Sequence, residues 1–179
     1  MRKCRICKQK YEPTRQMQTT CGGFDCMVSY AEQAAAKNAS KRVKQERKSI
    51  AVRKIAIKTK PELLKECQVA FNEYIRARDK DRPCISCGRQ HQGQYHAGHF
   101  LSVGARAGLR FDERNCHKQC QPCNTHLHGN LINYRIRLIR KIGLAEVERL
   151  ECDVSEKHYT REELMQMTKD YRKKARELK

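Results

Sequence analysis

The sequence contains no tryptophan, and aromatic residues make up only 6% of its 179 residues. Proteins that bind single-stranded nucleic acid by base stacking use several exposed aromatic side chains, so this composition argues against a protein of that kind. The chain also lacks any run of 18 apolar residues, and its first residues, MRKCRICK, contain no apolar signal region. We therefore expect no membrane span and no membrane partner, with the cytoplasm as the compartment.

Hydrophobic residues are also scarce, at 39% of the chain, and the mean hydropathy is −0.89. The length suits one ordinary domain or two small ones, and this composition leaves little material for a large core. We therefore expect a helix-rich α+β fold in which small zinc-stabilised units are joined by helices.

Acidic residues are few: the chain has 20 Asp and Glu but 39 Lys and Arg, which gives a net charge of +19. Two sites of four thiolates around one Zn²⁺ would reduce this charge only slightly. Such an excess indicates a polyanionic partner, most often nucleic acid. A basic surface that serves only solubility is the alternative.

The 11 cysteines are the most informative residues that are present. In a cytoplasmic chain they are better explained as metal ligands than as disulfides. Eight fall in pairs that predict two structural Zn²⁺ sites: Cys4, Cys7, Cys21 and Cys26, then Cys84, Cys87, Cys120 and Cys123. Cys67, Cys116 and Cys152 are left over, and we expect them to be buried free thiols.

These patterns divide the chain into a zinc unit over 1–28, a basic helical region over 29–80, a second zinc-containing domain over 81–150 and a C-terminal helix over 151–179. From Lys37 to Lys60 there are ten basic residues and one acid, Glu46. This helix either contacts phosphates or is a solvated linker. The candidates for DNA contact are Lys41, Arg42, Lys44, Arg47, Lys48, Arg53, Lys54, Arg135 and Arg137.

Three further helices are predicted by apolar spacing and by capping residues. One follows Pro61, with an apolar stripe from Leu63 to Ile75. Another runs from Leu131 to Ile142 and is ended by Gly143. The last begins at a capping box, Thr160 to Glu163, and places Leu164, Met167 and Tyr171 on one face.

The chemistry is concentrated around the second set of cysteines. Between Cys87 and Cys120 lie 32 residues, more than a simple zinc ribbon needs, so we expect a β-hairpin and a loop inside the site. This insert carries His96 and His99, in the stretch HAGHF, and Asn115. Asn124 and His128 follow the last cysteine pair. Because they are four residues apart, we expect them to share one face of a helix.

A strand histidine, a middle asparagine and a ligand on the following helix, here His99, Asn115 and Asn124, resemble the ββα-metal core of HNH (His-Me finger) nucleases. The ending Cys120-x2-Cys123-Asn124 is similar to that of endonuclease VII, a Holliday-junction resolvase. The longer run from Asp81 through Ala97-Gly98-His99 to Asn124 resembles the NinG (Rap) family of lambdoid phage recombination endonucleases. This resemblance covers nearly the whole chain.

The resemblance implies a structure-specific DNA endonuclease that cuts Holliday junctions and D-loops, encoded by a phage or a prophage. It implies His99 as general base, Asn115 as an orienting residue and Asn124 as a ligand of Mg²⁺ or Mn²⁺, in one-metal hydrolysis of phosphodiester bonds. The residue types suit that chemistry, since neutral imidazole accepts a proton from water and an amide carbonyl binds a hard cation. Cutting a junction twice would favour a homodimer.

Two other functions remain open at this point. The chain could be a non-catalytic, zinc-stabilised DNA-binding accessory protein of recombination. It could also be an HNH nuclease with a duplex target, which would share the same site.

The chain departs from the common HNH pattern at Gly98, where many members have an acidic metal ligand. The nearest replacement is His96, but residues three apart on a regular strand point to opposite faces. We therefore expect a bulge or bend at Ala97-Gly98 if His96 binds the metal, and its nitrogen would favour Mn²⁺. His128 is a further candidate ligand. Histidines at the surface are the alternative for both.

Overall fold

The structure is a computed structural model that describes all 179 residues. The chain divides into two compact units, Met1–Lys58 and Thr59–Lys179. Each unit contains one of the two sets of four cysteines that the sequence pairs predicted. None of the helices combines the length and the hydrophobicity that crossing a membrane requires.

The first unit is a short antiparallel hairpin followed by one long helix. Strand β1 (Arg2–Lys3) pairs with β2 (Lys10–Tyr11), and α1 runs over Phe24–Ile57. No residue of α1 is buried. Its stability must therefore come from the intrinsic helix propensity of its alanines and long charged side chains, because packing contributes little. The exposed basic helix predicted from the sequence is confirmed.

Two helices of the second unit pack against each other and frame its larger core. Helix α2 (Lys60–Arg78) begins at a capping box in which the backbone N–H of Thr59 donates to Glu62 at 2.7 Å. Helix α5 (Arg161–Glu177) begins at the predicted box of Thr160 and Glu163. The apolar stripe of α2 is buried as predicted, in a cluster that contains Leu63, Cys67, Phe71, Tyr74, Ile75, Phe111, Cys116, Leu164 and Ala175.

A second hairpin carries the candidate site. Strand β3 (Tyr95–His99) pairs antiparallel with β4 (Cys116–Cys120), and every residue of β3 has a partner in an unbroken register. A bend or bulge at Ala97-Gly98, which metal binding by His96 was expected to require, is therefore absent. Gly98 stays in regular pairing opposite His117, and no extra residue is inserted on either strand.

The predicted helix from Leu131 to Ile142 is confirmed as α3, and a further helix that the sequence did not predict, α4 (Leu144–Cys152), follows it. Gly143 separates them at a φ of 89°. Together with Phe100 and Leu109 they form a second core cluster, whose helix residues are Tyr134, Leu138, Val147 and Leu150. Cys67 and Cys116 are buried as expected. Cys152 is exposed, because it is the last residue of α4 and lies beyond the buried face of that helix.

Candidate active site and cysteine clusters

The first four-cysteine cluster is built by the N-terminal hairpin and the start of α1. The Sγ atoms of Cys4, Cys7, Cys21 and Cys26 all lie within 4.8 Å of one another. A tight turn after Cys4 brings the first pair together, since the Lys8 N–H donates to the Cys4 carbonyl at 3.1 Å and Lys8 has a φ of 63°. Four thiols at this spacing could hold Zn²⁺ in a tetrahedral site.

The second cluster, Cys84, Cys87, Cys120 and Cys123, also gathers its four Sγ atoms within 4.8 Å. Burial alone would raise the pKa of Cys84, but backbone N–H groups, led by that of Cys120, lower it overall. The Cys120 N–H points at Cys84 Sγ at 3.3 Å. The thiol pKa values of Cys87 and Cys120 are raised, chiefly by burial, so zinc would displace protons from these thiols on binding. Four sulfur atoms at this spacing could hold zinc.

His91 belongs to the surroundings of this second cluster, although its sequence context predicted no role for it. Its Nε2 atom lies 3.1 Å from Cys87 Sγ, and its backbone N–H donates to the Tyr95 hydroxyl at 2.6 Å. The sequence did contain a signal for this role, because His91 follows Cys87 by only four residues. Metal ligands and the residues that support them often lie close after a cysteine pair. A ring N–H donated to the sulfur would stabilise a thiolate.

His99 lies at the end of β3 and has a contact at each ring nitrogen. Its Nδ1 is 3.8 Å from the Sγ atom of the buried Cys116. Its Nε2 is 2.9 Å from the Arg110 carbonyl oxygen. Because a carbonyl only accepts, Nε2 carries the hydrogen and Nδ1 keeps the basic lone pair. Burial lowers the pKa of His99, and the Arg110 carbonyl offsets this only in part. His99 is therefore a neutral base at neutral pH.

Asn115 is fully buried and holds the segment that follows His99. Its Oδ1 accepts from the Leu101 N–H at 2.8 Å, and its Nδ2 donates to the Leu101 carbonyl at 3.0 Å. Its own carbonyl accepts from the Phe100 N–H at 2.8 Å. Asn115 therefore holds the backbone that follows His99, and its predicted role of orienting the site stays a prediction.

Asn124 lies on a short π-helical turn, Pro122–His126. Its Nδ2 donates to His96 Nδ1 at 2.9 Å. His96 reaches Asn124 from a regular strand that has no bend or bulge at Ala97-Gly98. In this arrangement His96 holds the amide of Asn124 in a fixed orientation.

The single helix expected to carry both Asn124 and His128 does not exist. The π-helical turn ends at His126, and His128, Gly129 and Asn130 have φ values of 47°, 91° and 45°. Three successive residues with positive φ cannot continue a right-handed helix. Nevertheless, His99, Asn124 and His128 all line one cavity of about 470 Å³.

The donors around this cavity can be compared with what a divalent cation needs. The side chains that line it include the Asn124 amide and two imidazoles but no carboxylate. Amide oxygen suits Mg²⁺ or Mn²⁺, and imidazole nitrogen favours Mn²⁺. The donor set fits a weakly bound cation that a phosphate group would help to hold.

His117 does not line the cavity that contains His99 and Asn124. His117 is buried, and its ring nitrogen Nδ1 lies 3.2 Å from the Tyr134 hydroxyl. Burial lowers the pKa of His117 to about 3, so it stays neutral.

The basic candidates for DNA contact differ in how free their side chains are. Arg135 forms an ion pair with Glu151 at 2.6 Å, and Arg137 donates weakly to the Cys87 carbonyl at 3.4 Å. Those on α1 have exposed side chains: Lys41, Arg42, Lys44, Arg47, Lys48, Arg53 and Lys54.

These features define a class: a strongly basic, helix-rich α+β protein with two four-cysteine clusters, each of which could hold zinc. The chain belongs to the NinG family of phage proteins, because the family profile described as Bacteriophage Lambda NinG protein matches residues 1–179.

Individual relatives agree with this assignment. Protein ninG of Escherichia phage 933W is 37% identical over 192 residues, which cover 99% of this chain and 94% of the relative. Protein ninG of Salmonella phage P22 is 44% identical, and that of Escherichia phage lambda 42%, each over 128 residues, 72% of this chain and 63% of the relative. No solved structure matches the chain significantly.

Proposed function

We propose that this protein is a metal-dependent, structure-specific DNA endonuclease that hydrolyses phosphodiester bonds in branched recombination intermediates such as Holliday junctions. The observation that carries the proposal is the state of His99. Its tautomer is set by the Arg110 carbonyl, its pKa is lowered, and it lines the same cavity as Asn124. A positioned neutral base beside an oxygen ligand is what phosphodiester hydrolysis requires.

In the proposed reaction, His99, Asn124 and Asn115 each have a separate role. Nδ1 of His99 takes the proton from the attacking water, while the N–H on Nε2 keeps the ring in place against Arg110. The Asn124 carbonyl would hold Mg²⁺ or Mn²⁺, which would supply charge neutralisation at the phosphate and at the leaving 3′ oxygen. Asn115 keeps the strand end that carries His99 fixed to the following loop. The products would have 5′-phosphate and 3′-hydroxyl ends.

The direct test is cleavage of a labelled four-way junction by the zinc-loaded protein in Mg²⁺ and in Mn²⁺. A linear duplex of the same arm sequences is the matched substrate. Faster cleavage of the junction is the expected result. Equal cleavage of both would indicate a nuclease with a duplex target, and cleavage of neither DNA would exclude the enzyme.

We expect the acid limb of the pH–rate profile to have its midpoint below 6.5, the ordinary pKa of histidine. The sign follows from burial, which lowers the pKa of His99 so that the neutral, basic form persists to lower pH. The measurement is kcat/KM for junction cleavage from pH 5 to pH 8, with circular dichroism at each pH as the control for folding. A midpoint above 6.5 would contradict a buried His99 base.

The second candidate is a non-catalytic DNA-binding protein, and α1 is the observation that favours it. This helix has 34 residues and buries none of them, which leaves a long basic surface exposed to solvent. Phosphate contacts alone would then supply the affinity. This function predicts DNA binding without metal-dependent nicking.

Either function predicts that α1 contributes to the salt dependence of DNA binding. Lys41, Lys44 and Lys48 are exposed and, at positions i, i+3 and i+7, share one face of the helix. We expect their joint replacement by alanine to make the slope of log affinity against log salt shallower by about one for each lysine–phosphate interaction that is removed. Fluorescence anisotropy at several salt concentrations measures this slope.

The matched control is a triple alanine variant of α5, at Lys169, Arg172 and Lys173, which are also exposed and share one face. We expect its slope to equal that of the unmodified protein. If the α1 and α5 variants behave alike, the binding is a general effect of net charge and α1 has no special role.

A further inference from the structure

Gly98 is the residue at which the chain departs from the HNH pattern, and the structure shows what occupies the space of its missing side chain. A Cβ added at Gly98 would collide with Gln119 Oε1 and would lie 3.0 Å from Asn124 Oδ1. Two amide oxygens, one from β4 and one from the π-helical turn, therefore converge on the same small volume. Glycine at position 98 is what allows this convergence.

The orientation of the Gln119 amide is fixed by its nitrogen. Nε2 donates to the Ser86 hydroxyl at 2.6 Å and to the Gly129 carbonyl at 2.5 Å. A flipped amide would place its oxygen against the Gly129 carbonyl, which only accepts, so the assignment of nitrogen and oxygen is unambiguous. Oε1 must then point toward Gly98.

Gln119 Oε1 is buried and has no hydrogen-bond partner in the protein. The whole side chain is inaccessible, at 0% exposure. A buried acceptor without a partner destabilises a fold, and native proteins normally satisfy such groups with protein, water or an ion. This atom therefore lacks a partner at the place where it and Asn124 Oδ1 both approach Gly98.

The orientation of Asn124 agrees with this interpretation. Its Nδ2 is directed to His96 Nδ1 at 2.9 Å, which leaves Oδ1 on the side of Gly98 and Gln119. Each amide thus uses its nitrogen to anchor itself and directs its oxygen to a shared point. Two pre-oriented carbonyl oxygens make a suitable pair of ligands for a hard cation.

We propose that Gln119 Oε1 and Asn124 Oδ1 jointly bind the divalent cation, with Gln119 supplying from β4 an oxygen that the residue before the base cannot supply. This inference rests on the proposed nuclease function and assigns the metal ligands of its site. His96 is then a positioning residue that holds Asn124. The ligands are neutral, so the cation retains its full charge toward a phosphate group.

The test is Mn²⁺ binding by zinc-loaded protein, measured by electron paramagnetic resonance of the free ion. Gln119→Met removes the oxygen and keeps the volume, and we expect at least tenfold weaker Mn²⁺ binding. Asn124→Asp adds a charged oxygen to which the His96 ring can donate an N–H, and we expect at least severalfold tighter binding that an added Gln119→Met reverses. A gain of affinity cannot arise from misfolding, so the second variant keeps the test informative if the first is unstable. Gln121→Met, at an exposed position of the same knuckle, is the matched control and should bind as the unmodified protein does.

The titrations are made without DNA and again with excess junction DNA in a His99→Ala background, where cleavage does not remove the ligand. Equal Mn²⁺ affinity in all variants would overturn the proposal and would indicate that a water molecule pairs with Gln119. No Mn²⁺ binding in either setting would overturn it as well. Junction cleavage that persists in both Gln119→Met and Asn124→Asp with unchanged metal dependence would refute these ligands while leaving the nuclease function in place.

Discussion

Replacing His99 by alanine is expected to reduce metal-dependent junction cleavage by about 10²- to 10⁴-fold, the usual range for removal of a general base. The reason is geometric, because Nδ1 of His99 is the basic nitrogen whose position the Arg110 carbonyl defines. Single-turnover cleavage of a labelled four-way junction, with enzyme in excess, measures the chemical step without interference from product release.

Two further variants separate loss of the base from loss of structure. His99→Gln keeps an N–H that can donate to Arg110 but offers no basic nitrogen, so we expect a folded protein that is nearly as inactive as the alanine variant. His126→Ala, at an exposed position of the π-helical turn, should retain activity. Cleavage by His99→Ala at the unmodified rate would remove His99 from the mechanism.

Replacing Cys120 by alanine is expected to unfold the second unit, Thr59–Lys179. Cys120 ends β4, is fully buried and ties the hairpin to Cys84 through its N–H. Structural zinc sites contribute on the order of 10 kcal/mol of folding free energy, about as much as the whole stability of a typical domain. Thermal denaturation followed by circular dichroism measures the loss, and metal analysis should show zinc falling from about two atoms per chain to about one.

Two cysteine variants provide the controls. Cys152 is exposed and outside both clusters, so Cys152→Ala should change neither zinc content nor stability. Cys4→Ala should remove one zinc and leave the second unit folded, because the clusters lie in separate compact units. A Cys120→Ala protein that keeps two zinc atoms and its melting temperature would show that this cluster does not hold zinc.

Much of the fold could be predicted because its signals are local. Pro61, the capping box at Thr160 and the apolar stripe from Leu63 to Ile75 indicate where α2 and α5 begin and which face α2 buries. The cysteine pairs likewise predicted both clusters, since four thiols at these spacings have few other arrangements. These features need no knowledge of distant parts of the chain.

The site was predicted less completely, because its geometry depends on contacts between distant residues. Nothing near Gly98 in the sequence reveals that Gln119 fills its side-chain space, and the register of β3 and β4 determines that contact. The expected helix through His128 failed because His128 and Asn130 adopt positive φ without being glycine. Helix α4 was missed because its two buried residues, Val147 and Leu150, are too few to give a clear period.

The absence of buried residues along α1 has a consequence for its motion. Opening of this helix breaks no packed core, so its amide protons should exchange with solvent according to its own helix–coil equilibrium, independently of the core that Phe71 and Leu164 form. A polyanion held along its lysines would slow that exchange by favouring the helical state. With such a polyanion bound, the order of α1 would be set by its ligand, whereas zinc in the four-cysteine cluster would set the order of the preceding hairpin.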